Sequence, residues 1–305
     1  MESTERASDD AAASQTDLGA RLLRHMRRAR IVSTRMITLQ REGRIGYHTA
    51  SIGQEAAVVG AVLAARDTDW IFPGAREWYA AIARGLPIQA YVHHVFGSAR
   101  DAAKGHATPD HGPARAFRVV PPSGVVGAHL PQAVGAAWAS RIQKDGVRVV
   151  ALFGSEVMTS GDAHNALNFA GVFKAPVVFV CRSRAGENVT DRAIAYGLAS
   201  VKVEGGDPEV VHATVRAALA RADEGKGATL VEVVTPRPLG EDDLAPPDHV
   251  DAADAPFVRE LDAAIAEAEA AGAPAPESIF DDVYASVPPH LVAQRRMLTG
   301  GKRRA

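Results

Sequence analysis

Two short clusters hold the side chains best placed to do chemistry: Gly154-Ser155-Glu156 and Arg182-Ser183-Arg184. Each follows an apolar run, residues 149–153 and residues 177–181, and an amphipathic segment near residues 161–173 lies between them. That is a strand–helix–strand unit with buried parallel strands. In open α/β sheets, ligands sit beyond the carboxyl ends of the strands. Gly154, Ser155, Glu156, Ser183 and Arg184 are therefore expected to face any ligand. Ser155 sits in GSEVM with no adjacent base, so it does not read as a hydrolase nucleophile. Gly124 with Gly127 lacks the third glycine of a nucleotide fingerprint. His106, His111 and His129 lack the spacing of a zinc site. His93 and His94 are neighbours on a predicted helix and do not share a face. A loop histidine touching a ligand or a partner chain is the simpler reading.

The elements that must carry these residues follow from the pattern. Residues 1–16 are polar and without periodicity, and are expected to be a disordered tail. Helical spacing runs from Leu18 to about Arg41 on a basic helix, whose Arg21, Arg24, Arg27, Arg28, Arg30 and Arg35 are a solvated face or a contact for an acidic partner. Ser51 with Gln54 reads as a capping box before an apolar helix. Short strand 70–72, helices 76–83 and 88–96, and a long loop at 98–123 come next. An Ala- and Gly-rich helix at 130–142 precedes the first cluster. After the second come a helix near 190–196, strand 201–203, helix 208–222 with Asp207 as its N-cap, and strand 229–234. A Pro/Asp-rich loop at 239–250 leads to a helix at 251–271, an aromatic segment at 279–291 and a basic tail. The expected fold is a doubly wound parallel α/β sheet flanked by helices, domain 17–250, with a C-terminal helical extension over 251–305.

Composition narrows the class. The chain has 305 residues, 47% hydrophobic and 23% charged, with a formal net charge of −2. Nothing in that balance calls for a nucleic acid or a membrane as partner. The single cysteine, Cys181, ends an apolar run, which rules out an intrachain disulfide and fits a reducing, cytoplasmic setting. The N-terminal residues lack the basic-then-apolar order of a signal peptide.

The stretches IGYHTASIGQEAAVVGAVLA, DWIFPGAREW, ARGLPIQAYVHHVFG, LPQAVGAAWA, VRVVALFG and AEAAGAPAPESIFDDVYASVPPHL carry a resemblance. They are similar to the alpha subunit of the thiamine-diphosphate-dependent decarboxylating component of 2-oxo acid dehydrogenase complexes, the branched-chain (2-oxoisovalerate) type above all. The resemblance implies a thiamine-diphosphate-binding α/β fold. It also implies a heterotetramer with a beta subunit, feeding a lipoyl-bearing acyltransferase core. In that family a Gly-Asp-Gly at one strand end and an Asn-Asn at the next hold magnesium and the diphosphate. Here the first reads Gly154-Ser155-Glu156 and the second Ser183-Arg184. Magnesium takes hard oxygen ligands, and a guanidinium has no lone pair to give. The family's diphosphate-contacting Tyr-Arg reads Ala75-Arg76, and its Met-Pro-x-His turn reads Thr108-Pro109-Asp110-His111. The segment that cradles the aminopyrimidine reads Gly124-Val125-Val126, with Val126 an apolar substitute, and Tyr47 stands at a substrate-pocket aromatic. Residues 185–190 form too short a loop for the family's catalytic histidine, and residues 236–241 lack the later one.

Two ways of filling the site follow. Arg184, with Arg76, can pair with Glu156 and occupy the diphosphate position with protein charge, or Arg182 and Arg184 can hold a phosphate in place of the metal. Two functions follow likewise. The first is a non-catalytic or impaired homologue of the alpha subunit, a structural or regulatory partner of a beta subunit. The alternative is active oxidative decarboxylation of a branched-chain 2-oxo acid with acyl transfer to lipoamide, for which thiamine diphosphate does the hard chemistry.

Overall fold

A computed structural model describes residues 2–109, 112, 114–122, 124–235 and 251–300, with side chains from residue 17 to residue 299. Five parallel strands form one sheet: β1 (Trp70–Phe72), β2 (Val149–Gly154), β3 (Val177–Arg184), β4 (Ala199–Glu204) and β5 (Thr229–Thr235), in the order β1-β2-β3-β5-β4. β2 and β3 are in register from Val149 opposite Val177 to Gly154 opposite Arg182. That register brings the two polar clusters to the same edge of the sheet.

The strands can be apolar throughout because both faces are covered. Val149, Ala151 and Phe153 of β2, with Val177, Phe179 and Cys181 of β3, point into one core, beneath α5 (His129–Gln143), α6 (Gly161–Phe173) and α7 (Val189–Ala195). Val150, Leu152, Val178 and Val180 point the other way, onto α2 (Glu55–Ala64), α3 (Tyr79–Ala83) and α8 (Pro208–Asp223). The sheet is doubly wound, as its sequence pattern requires. A third core joins α1 (Glu2–Arg41), α4 (Ile88–Phe96) and α9 (Ala255–Ala271) through Leu22, Val32, Met36, Tyr91, Phe257, Leu261 and Ile265. α9, counted by sequence with a C-terminal extension, thus packs into the body. α10 (Pro289–Gly300) follows it.

Local signals are met unevenly. Asp207 caps α8, its carboxylate accepting from Glu209 N at 2.8 Å with Pro208 at the first position. Ser160 caps α6 by accepting from Ala163 N at 3.1 Å. The capping box at Ser51 does not form: α2 starts at Glu55, and its N-cap Gln54 makes no side-chain cap bond. The Gln54 amide oxygen instead accepts from Arg182, a longer-range contact no local pattern foretells. Helical backbone covers residues 2–16, the expected disordered tail, as the start of α1. The expected helix 76–83 is split into a 3-10 turn, Ala75–Glu77, and α3.

The basic face of α1 is largely spoken for. Arg27 pairs with Asp254 at 2.5 Å, Arg30 with Glu55, and Arg35 with Asp262 at 3.0 Å. Arg28 lies over the Phe257 ring at 4.7 Å. Four of the six arginines thus bind the chain's own elements, and the helix reads as part of the fold rather than as a docking arm. No helix among the described residues is long and apolar enough to cross a membrane.

Candidate functional site

The carboxyl edge of β2 and β3 opens into two neighbouring hollows that share Glu156. The larger set of expected residues meets in the first. Tyr47, Arg76, Gly124, Val126, Gly154 and Glu156 line a cavity of about 350 Å³, with Thr49, Glu77, Val125, His129, Phe153 and Arg182 among its other walls. Ser155 and Arg184 line the second, of about 360 Å³, together with Glu156, Glu187, Asn188 and Arg192. His111 lies outside the described residues, as do Asp110 and residues 236–241.

The floor of the first hollow is an ion pair that the sequence reading did not place. Arg182 reaches from β3 to Glu77 of the 3-10 turn after β1, and to the Gln54 amide oxygen at the start of α2. Only 7% of Arg182 and 1% of Glu77 is exposed. A charge buried so deeply needs such a partner. His129 lies beside Glu77 and gives its Nε2 proton to the Leu152 carbonyl at 3.0 Å; burial pushes its pKa down, so it is a neutral ring. On the rim, the Thr49 hydroxyl donates to the Tyr47 phenol oxygen at 2.6 Å. Trp78 donates from Nε1 to the Thr49 carbonyl at 3.1 Å, fixing that segment. Val125 and Val126 stand 64% and 65% exposed at the mouth.

Polar groups along the wall of the second hollow are engaged within the chain. The Ser155 hydroxyl, close by, helps hold the Glu187 carboxyl below its ordinary range, and Arg184 N donates to the same carboxylate at 3.1 Å. The Ser183 hydroxyl turns away from the edge and donates to Glu232 Oε1 at 2.8 Å. Glu232 is fully buried and also accepts from Val189 N at 3.1 Å and Thr190 N at 3.0 Å, the first amides of α7. Lys202 completes the set at 3.1 Å. Burial alone raises the pKa of Glu232; the Thr190 amide, the Ser183 hydroxyl and the Lys202 ammonium outweigh it and hold the group ionised. The connection from β3 to α7 is only residues 185–188, which brings Glu187 back against Ser155.

Three expectations need correction. Glu156 pairs with neither Arg184 nor Arg76; its exposed carboxylate folds back over Gly154, where a Cβ would stand. The internal charge at the site comes instead from Arg182 with Glu77, a residue of the DWIFPGAREW stretch to which the sequence reading gives no role. And the arginines do not act together on one anion, because Arg182 is buried under the first hollow while Arg184 is exposed in the second.

These contacts test the fit of magnesium and a diphosphate. A metal there needs free oxygen donors from both strand ends. Ser183 already bonds to a carboxylate, Ser155 lies against the Glu187 carboxylate, the Arg184 side chain offers no lone pair, and Glu156 covers the Gly154 backbone that a phosphate would approach. Among the described residues no group of three or more His, Cys, Asp or Glu side chains is arranged to hold a metal. The residues present do not fit the metal–diphosphate group. Elsewhere, His93 and His94 are both buried and engaged, His93 with Ser98 at 2.8 Å and His94 with Asp101 and the Thr108 carbonyl, each at 2.9 Å.

A family model described as "Dehydrogenase E1 component" matches residues 23–249. The chain is 35% identical over 240 residues to 2-oxoisovalerate dehydrogenase subunit alpha of Bacillus subtilis (strain 168), covering 73% of each chain. It is 37% identical over 222 residues to 3-methyl-2-oxobutanoate dehydrogenase subunit alpha of Mycobacterium tuberculosis (strain ATCC 25618 / H37Rv), covering 68% of this chain and 58% of that one. Among solved structures, benzoylformate decarboxylase from Polynucleobacter necessarius superposes with a TM-score of 0.39 at 15% identity, covering 61% of this chain and 33% of that one.

Proposed function

Given that the chain belongs to the dehydrogenase E1 component family, we propose that it is a branched-chain alpha-subunit homologue that is non-catalytic or impaired. In this reading it serves in the cytoplasm as a structural or regulatory partner of a beta subunit, within a heterotetramer. One observation carries the reading: of the two family metal-ligand positions, Ser155 lies against Glu187 and the other is Arg184, whose guanidinium has no lone pair to give, while Ser183 beside it is bonded to Glu232. Releasing Ser183 would strip a fully buried carboxylate of a donor, which costs about 1–3 kcal/mol before any metal is bound.

The test is reconstitution with the beta subunit encoded nearest in the genome. Decarboxylation of 2-oxoisovalerate is measured with thiamine diphosphate and magnesium. Stable co-purification without turnover supports the reading; turnover above background sinks it. The second reading, an active dehydrogenase alpha subunit delivering acyl groups to a lipoyl acyltransferase, draws on the first hollow, where Tyr47, Arg76, Gly124, Val126 and Gly154 still meet. It requires turnover that disappears in Arg76→Ala.

A further inference from the structure

Away from the carboxyl edge, two apolar surfaces stand uncovered, and they carry opposite charge. The first lies across α5 and α6. Trp138 and Phe173 stack with ring centroids 4.2 Å apart, and Phe169 stacks on Phe173 at 5.5 Å, with interplanar angles of 6° and 7°. Ile142 and Val172 extend this ladder, 65% and 68% exposed. Contiguous apolar patches of this kind mark interaction sites, and aromatic anchors dominate their energetics. Asp162, in the first turn of α6, is the one carboxylate in either helix. Lys144 and Lys174 end the two helices with no ion-pair partner among the described residues. Both helices lead into parallel strands, so this basic end lies at the amino edge of the sheet, opposite the two hollows.

The second surface is the segment between α9 and α10. Phe280 anchors it in the interior, Asp281 pairs with Arg295 at 3.3 Å, and Asp282 pairs with Lys104. Held in this way, it still leaves Ile279, Val283, Tyr284 and Val287 exposed. Residues 272–289 include Glu277, Asp281 and Asp282 and no Lys or Arg. Glu277 has no partner among the described residues. Since both surfaces are exposed, neither covers the other within one chain.

We propose that a second copy of the chain covers both: residues 277–287 of each copy lie across the α5–α6 ladder of the other, about a two-fold axis. This goes beyond the proposed function, because it needs no beta subunit. In a two-fold pair every contact occurs twice, which doubles the apolar area removed from water. Glu277 meets the end of the ladder that carries Lys144 and Lys174. Ladder against ladder would instead bring like charges together, which disfavours that pairing. The exposed pairs of Asp281 and Asp282 are weak enough to rearrange as the copies meet.

The experiment is sedimentation velocity of the full-length chain, alone, over about 1–100 μM. A reversible dimer is expected, with Kd on the order of 10 μM. Phe169→Glu and Tyr284→Glu should each weaken it about tenfold or more. The double variant Lys144→Glu with Lys174→Glu, and separately Glu277→Lys, should each weaken it about threefold or more. An equal mixture of those last two variants should regain the parental affinity, because each copy then meets its complement at both contacts. Thermal unfolding at the parental temperature shows that a variant has lost the contact and not the fold. A parent chain that stays monomeric, assembly beyond the dimer, a dimer untouched by Tyr284→Glu or Glu277→Lys, or a mixture that recovers nothing each overturns the inference. A chain that associates only with a beta subunit overturns it too, and leaves the proposed function standing.

Discussion

The two hollows on either side of Glu156 are built from the same strand ends and have opposite characters. In the second, the polar groups at the edge answer to one another: Ser155 to Glu187, and Ser183, Val189, Thr190 and Lys202 to Glu232. In the first, the buried charges are matched at the floor by Arg182 and Glu77, while the rim keeps Arg76 and the Tyr47 phenol available. A site stops accepting a ligand by two different routes: its donors can be altered, or its donors can be given other work. The second hollow shows both; the first has Ala75 where the family resemblance puts a tyrosine, yet keeps Arg76 without a partner among the described residues.

The largest expected effect tests the floor of the first hollow. Arg182→Ala leaves Glu77 a buried, unpaired carboxylate and should lower the unfolding free energy by about 3–5 kcal/mol, read by urea denaturation. Arg182→Met combined with Glu77→Leu should recover most of that loss, because the cost lies in the orphaned charge. If the single variant is neutral, the floor is not the anchor described. Behind the second hollow, Glu232→Gln swaps an acceptor of four donors for an amide, and about 1–3 kcal/mol should go. The amide protons of Val189 and Thr190 should then exchange faster with solvent.

A third test uses acidity to separate the walls. His48 stands between the rim residues Tyr47 and Thr49, with Ser33 Oγ at 3.3 Å and the Tyr91 hydroxyl at 3.4 Å, and burial pushes its pKa down to about 4. The unfolded chain takes up that proton near the ordinary value of 6.5, so below it the unfolded state binds more protons than the folded one. Stability on this account is full above pH 6.5 and drains as pH falls towards 4. His48→Gln should flatten that slope; an unchanged profile would move the pH response elsewhere, for instance to His25, which burial and the arginines of α1 also lower to about 4. The smallest effect is Ser155→Ala. Glu187 loses the hydroxyl that depresses its pKa, and its carboxyl titration, followed by NMR, should move up toward the ordinary range. Since the folded value is the lower one, Glu187 contributes stability above its ordinary pKa and loses it as pH falls through the folded value; the variant should surrender that small term.

The sheet was legible in the chain because its information is local. Apolar runs at 149–153 and 177–181 can be covered only from both sides, and Asp207-Pro208 announces its helix within three residues. The positions of the site were legible too, since strand ends in register are a topological consequence. Its contacts were not. Arg182 finds Gln54 and Glu77 across 128 and 105 residues of chain, and Ser183 finds Glu232 across 49. Opposite charges invite pairing on paper, as Glu156 and Arg184 did, but a side chain's direction depends on the backbone turn it leaves from. Glu156 leaves a 3-10 turn that folds it over Gly154, while Arg184 ends its strand facing solvent. One signal was available. Glu232 is a lone carboxylate inside the apolar run LVEVV, and an acid in such a place must have partners nearby.

The nearness of Ser155 to Glu187 has a further consequence for redesign. An aspartate placed at 155 would set two carboxylates against each other, and an asparagine placed at 184 would remove the positive charge beside them. Each change taken alone shifts the same corner toward negative charge, so neither by itself readies it for a metal. A redesign would have to begin at Glu187, on the short connection into α7.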